Sequence, residues 1–218
     1  MTDVARALEE LARNGPAAAF LDRALEAAKD PRGVAFRALY ASVTRRLGAA
    51  ATERVVPPAP LAENARPHFT LTDWVRLALV TRALTATPQG QQPDLVLHLL
   101  EAGEIGEQES LLRTLSLLPE PSRFSEVGLA ACRTNARRVF DAIACDNPFP
   151  AAYFPELGFN QMVLKAVFVE APVGRIEGLD QRRTPELIRM ARGYASERRA
   201  AGRPVPDDIA LILRGTSA

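Results

Sequence analysis

The segment RTNARRVFDAIACDNPFPAAYFPELGFNQMVLKAVF, residues 133–168, decides the fold. It reads as an apolar helix, a loop of prolines and aromatics, and a second helix that is apolar on almost every side. In the first helix, ending at Cys145, the core face is Val139, Phe140, Ile143 and Ala144, which leaves Asn135, Arg138 and Asp141 together on the other side. Asp141 can pair with Arg138 three residues back or Arg137 four back, an exposed ion pair by its setting. The stretch from Asn147 to Pro155 is stiffened by prolines and can cover that face with its aromatic rings.

The second helix, from Gly158 to Val169, has only three polar side chains, Asn160, Gln161 and Lys165, and Gln161 and Lys165 share a face. Two readings of the lysine stay open. In one, its stem packs while the ammonium reaches water or a carboxylate such as Asp141, Glu170 or Glu197. In the other, Lys165 is the charge partner in a pocket for an anionic or phenolic ligand, with Asn160 donating a hydrogen bond. Arg182, in the loop between Phe168 and Thr184, is a further candidate for that pocket, because a guanidinium fork grips carboxylate or phosphate. The ligand-binding candidates are therefore Asn135, Arg138, Asp141, Asn160, Gln161, Lys165 and Arg182.

Working outward, the pattern stays helical. Thr184 with Pro185 opens a helix whose Leu187, Met190, Ala191 and Tyr194 face inward, and a short tail helix starts near Pro206. Upstream, a helix beginning at Thr72 with Asp73 in its first turn is followed by short helices ending at Gly103 and Pro119, and a further one starts near Ser122 and runs on into the segment 133–168 toward Cys145. Nearer the N-terminus, Thr2 and Asp3 cap a helix ending near Asn14 and Gly15, and Pro16 opens a second with Phe20, Leu21, Ala24, Leu25 and Ala28 on one face. A third, from Arg32 to Leu47, aligns Val34, Ala38, Ala41 and Leu47. The expected fold is all-α, either a HEAT-like stack of helical pairs or an irregular helical bundle. Tight turns between neighbouring helices favour the stack. Three regions follow: an N-terminal hairpin plus helix over 1–50, a proline-rich linker over 51–70, and a helical domain over 71–218.

Composition sets limits on function. The 218 residues carry a formal net charge of +1, so no field draws the chain to nucleic acid, and the arginines after residue 174 are interleaved with Glu177, Asp180, Glu186 and Glu197. Cys132 and Cys145 read as lying on successive turns of an apolar helix, which predicts free thiols in a reducing compartment. His68 and His98 are isolated, so neither a metal nor a cofactor is expected. No phosphate loop, dinucleotide fingerprint or nucleophile elbow is present. The absence of a signal peptide and of a long apolar run predicts a cytoplasmic protein that does not insert in membranes.

Four phrases in order, TNARRVFDAIACDNPFPAAYF, FNQMVLKAVFV, RIEGLD and YASERRAAGR, resemble the EboA family. The resemblance covers the last two fifths of the chain strongly and the middle more loosely. It implies a helical protein working in the making and export of a secondary metabolite. Its expected partners are other enzymes of the same gene cluster, which resemble a prenyltransferase, a dehydroquinate-synthase-like cyclase and hydrolases. No reaction comes with it. With no catalytic motif in view, the expected role is a helical scaffold, and the alternative is a metabolite-binding protein or enzyme of that pathway with an anionic or phenolic ligand near Lys165.

Overall fold

The structure is a computed structural model that describes residues 18–55 and 66–214. The first expected helix, ending near Asn14, lies outside these residues. Among the described residues there are eleven α-helices and no strand, so the chain is all-α. It divides into two compact units, Met1–Val127 and Gly128–Ala218.

The first unit is built around α3 (Leu71–Thr85), which is touched by α1 (Ala18–Ala27), α2 (Val34–Leu47), α4 (Gln92–Ala102) and α5 (Ile105–Arg113). Helix α3 is buried on nearly every side, including its polar residues Asp73, Arg76 and Thr81. It begins one residue earlier than its sequence suggests, because Thr70 is the cap: the Thr70 amide donates to Asp73 Oδ2 at 2.8 Å and its hydroxyl to the same oxygen at 3.0 Å. The other Asp73 oxygen accepts from the Ser110 hydroxyl, and Arg113 stands 3.8 Å away. Arg76 donates to the Gly106 carbonyl at 2.8 Å and to Thr44 Oγ1 at 3.3 Å, with its guanidinium over the Tyr40 ring. A buried polar group is tolerated when it is hydrogen-bonded, and these bonds tie α3 to α2 and α5.

Helix α1 buries Leu21, Ala24, Leu25 and Ala28 as its pattern predicts. The stripe assigned to α2 needs correction. Val34 is exposed, as are Ala38 and Ala41, and the core face is Phe36, Tyr40, Val43 and Leu47. The larger aromatic side chains bury more apolar area than alanine, and they set the helix's rotation. After α2, the chain stays against its unit, since Ala50 and Ala51 are buried, Glu53 O accepts from the Leu71 amide at 2.8 Å, and Val55 O accepts from the Trp74 indole at 3.0 Å.

The second unit is organised on α9 (Glu156–Phe168), packed by α7 (Arg137–Ala144), α10 (Pro185–Ala200) and the 3-10 turn Val173–Arg175. The helix expected to run continuously into Cys145 is instead two. Helix α6 (Ser125–Ala131) ends at Ala131, and the chain turns through 132–136 before α7 starts. Thr134 Oγ1 accepts from the Ala136 amide at 3.0 Å, a side-chain turn that competes with helix continuation. Cys132 thus sits in the turn and Cys145 at the end of α7, not on successive turns of one helix, and both are free thiols. The core face of α7 is as read, with Val139, Phe140, Ile143 and Ala144 buried.

Within the proline-rich stretch, Phe149–Tyr153 forms the short helix α8. Phe149 meets Phe154 edge to face at 6.0 Å, and Gly128 lets both rings approach, since a Cβ there would lie 2.7 Å from the Phe154 ring. Thr184 caps α10 by accepting from the Leu187 amide at 3.2 Å, and α10 buries Leu187, Ala191 and Ala195. The tail helix α11 (Asp208–Ile212) docks through Ile209 and Ile212.

Candidate functional site

Leu129 of α6, Cys132 and Arg133 after it, and the first half of α9 line an open cavity of about 480 Å³. Its apolar wall is Leu129, Pro155, Leu157 and Met162; Arg133, Gln161 and Lys165 are its polar side chains. Leu157, Gln161 and Lys165 recur every four residues, which places them in one row along α9. Gly158, in the same wall, keeps the Leu129 side chain close, because a Cβ at 158 would sit 2.5 Å from it.

Lys165 does what neither reading of the sequence anticipates. Its ammonium donates to two backbone carbonyls, Cys132 O and Thr134 O, both at 2.6 Å, and lies 5.3 Å from the centre of the Phe140 ring. The turn between α6 and α7 leaves these carbonyls to the lysine because no following helical amide donates to them. An ammonium has three donors, so one is left for a molecule in the cavity. At the other end, the amides of the first turn of α9 have no intrahelical acceptor, and Leu157 and Gly158 bring that end into the cavity wall. With Arg133 and Lys165, these groups make the polar rim of the cavity electropositive.

Burial pushes the Cys132 thiol up to about 12, with Lys165 and Arg133 pulling it partly back. Burial likewise pushes Cys145 up to about 11, helped by the nearby Asp141 carboxylate. Both thiols therefore hold their protons at neutral pH, and Cys132 contributes to the cavity as an uncharged group.

The remaining candidates are dispersed. Asn160 is 0% exposed, and neither its amide oxygen nor its nitrogen has a hydrogen-bond partner among the described residues. It lies one residue from Gln161 but outside the cavity lining. Asp141 pairs with Arg137, whose Nε donates to Oδ1 at 2.7 Å, on a solvent-facing side of α7. Arg137 is also anchored to the carbonyls of Val169 at 2.6 Å and Glu170 at 2.9 Å. Asn135 and Arg138 are exposed. Arg182 is spent on structure: it donates to Ala151 O at 2.6 Å and Phe154 O at 2.8 Å and stacks 4.8 Å over Phe159, holding α8 in place. Its loop neighbours are also engaged, Arg175 with Asp146 and Arg183 with Asp180. The structure thus brings Gln161 and Lys165 together and leaves Asn135, Arg138, Asp141, Asn160 and Arg182 elsewhere in the unit.

Arg133, Leu129, Pro155 and Leu157 line the cavity without having been singled out from the sequence. Leu157 carried a signal, its four-residue spacing to Gln161 and Lys165; Arg133 and Leu129 come from another element, and no local pattern links them to α9. Among the described residues no group of three His, Cys, Asp or Glu is placed to hold a metal ion, and no helix is long and apolar enough to cross a membrane.

Comparison with curated proteins and with solved structures gives no match. A family model described as "Metabolite traffic protein EboA" matches residues 13–213. The match takes in not only the four phrases of the C-terminal part but also the N-terminal helices and the segment around residues 51–70, where the sequence had shown no resemblance. With nearly its whole length matched, the chain belongs to the EboA family of metabolite traffic proteins.

Proposed function

We propose that this protein serves metabolite traffic by holding a small, largely apolar molecule with an anionic or phenolic group in the cavity beside Lys165. The observation that carries this reading is the cavity itself. Its volume of about 480 Å³ suits a small molecule, its wall is apolar, and its one ammonium keeps a donor in reserve. A carboxylate or phenol would take that donor and lie near Arg133, while a ring or chain would rest on Leu129, Leu157 and Met162. Among the described residues beside the cavity none form a nucleophile and base pair, so the reading is of a carrier acting in the cytoplasm rather than an enzyme. The test is calorimetric titration with p-hydroxycinnamate and with the methyl ester of its carboxyl. The acid should bind about tenfold more tightly than the ester, and Lys165→Met should remove the difference while the protein stays folded. Acid and ester binding that both survive Lys165→Met unchanged would reject the reading.

A scaffold for the pathway's enzymes is a second reading, favoured by one observation. Leu157 and Phe168, 58% and 71% exposed, lie eleven residues apart on α9, three helical turns along one face. A partner enzyme from the same gene cluster would cover that face. Phe168→Glu should then abolish co-purification of a pathway enzyme and leave binding of the aromatic acid intact; unchanged co-purification would exclude this face.

A further inference from the structure

The first unit holds a cavity of its own, of about 110 Å³, with unspent polar groups of both charge signs around it. Arg37, Tyr40 and Ala41 come from one face of α2, Leu99 and Gly103 from the end of α4, and Glu107 from the first turn of α5. Glu107 stands three residues after the N-cap Glu104, where a glutamate ordinarily turns back to bond the cap amide. It makes no such bond. Although only 8% exposed, its carboxylate has no hydrogen-bond or ion-pair partner among the described residues and faces the cavity instead. Gly103 makes the space for it, since a Cβ there would lie 3.2 Å from Glu107 Cβ and 2.8 Å from Leu99 O.

Tyr40 faces the same cavity, 2% exposed, and its hydroxyl is likewise without a partner. Burial raises the pKa of this phenol well above its usual value; Arg76 acts against the shift, and Glu107 and Asp73 add to it, so the hydroxyl keeps its proton. Arg37 is exposed at the cavity's edge, and its guanidinium has no partner among the described residues. Glu107 and Arg37, opposite in charge, line one space without pairing with each other, an arrangement that is explained if a molecule carrying both charges bridges them.

Chemistry narrows the occupant. A carboxylate on the wall repels an anion placed against it, so the buried end must take a hydrogen-bond donor of positive charge. One carboxylate and one neutral phenol are too few ligands for a calcium or magnesium ion. The volume is that of about four waters, enough for a molecule of a few non-hydrogen atoms and too small for the aromatic acid proposed for the other unit. Arg37, across the cavity, offers a fork for a carboxylate. We propose that this cavity binds a small aminocarboxylic acid, its ammonium against Glu107 and its carboxylate on Arg37, with the Tyr40 ring as part of the wall. This site does not depend on the reading of the Lys165 cavity.

The experiment is titration of the full chain, by ligand-observed NMR and calorimetry, with glycine, β-alanine and 4-aminobutyrate, and with ethylamine and acetate as the separate halves. At least one aminocarboxylate should saturate with a dissociation constant near about 1 mM, and each half should bind at least about tenfold more weakly. Glu107→Gln should lower the affinity about tenfold or more, and so should Arg37→Met, which touches nothing in the core and so leaves the fold intact even if the Glu107 variant is unstable. If no aminocarboxylate saturates, the cavity holds water only and the proposal fails. Binding that survives Arg37→Met unchanged, or ethylamine binding as tightly as the best aminocarboxylate, would overturn it equally.

Discussion

Lys165 closes the turn between α6 and α7 by holding two carbonyls that no amide reaches, and the same ammonium faces the cavity. Replacing it with methionine removes both bonds and leaves two acceptors short of a donor. Urea unfolding of Lys165→Met should therefore show a loss of about 1–3 kcal/mol, and a change within about 0.5 kcal/mol would mean water serves the carbonyls as well. Asn160 is the opposite case. Its amide is fully buried and unpaired, so Asn160→Leu, of similar size, should raise the unfolding free energy by about 1–2 kcal/mol; a loss of stability would mean the amide has a partner, such as a bound water. The two buried thiols give a pH dependence of defined sign. Because folding raises the Cys132 and Cys145 values, the unfolded chain releases these protons first as pH rises, and stability falls with increasing alkalinity. The decline should begin near the unperturbed thiol range and continue to about pH 11 for Cys145 and about pH 12 for Cys132, and a Cys132→Ala, Cys145→Ala double variant should flatten that part of the profile. That Lys165 is special was legible, since it is one of only two lysines and sits in an apolar helix. Its partners were not, because backbone carbonyls freed by a turn 31 residues away leave no trace in side-chain pattern.

At the scale of the element, the pieces that follow from local chemistry are those with caps and breakers. Thr184 and Pro185 start α10, Gly103 ends α4, and Leu21, Ala24 and Leu25 orient α1, all in agreement with their sequence signals. The misread elements are those where another element overrides the local pattern. Helix α2 turns Phe36 and Tyr40 inward because α3 offers them a buried surface and an arginine to stack on. Around residue 134, a threonine turn and the carbonyl grip of Lys165 split what reads as one continuous helix. Close packing also sets a testable limit at Gly128, where α6 lies against Phe149 and Phe154. Alanine raises intrinsic helix propensity there by about 1 kcal/mol, yet its methyl must displace two rings. The net effect of Gly128→Ala should be a loss of about 1–2 kcal/mol in denaturant unfolding, and a gain would show that the rings yield freely.

For the whole molecule, charge is balanced and locally paired. The net charge is +1, and in the C-terminal unit Arg175, Arg183 and Arg189 pair with Asp146, Asp180 and Glu186 while Arg182 holds backbone carbonyls. A polyanion would find few guanidinium groups to neutralise, so fluorescence anisotropy with duplex DNA at low salt should show only weak binding with a shallow salt dependence; a steep one would reveal a phosphate-binding face. The all-α class, the free cysteines and the family were determined by the sequence alone, because helical periodicity, capping residues and ordered phrases such as FNQMVLKAVF are properties of neighbours along the chain. Only the tertiary structure decided where the cavities are and which polar groups remain unspent in them. Lys165 meets the turn at 132–134 and Tyr40 meets Glu107 across long stretches of chain, and whether such side chains pair, face water or face a cavity depends on distances that no local period encodes.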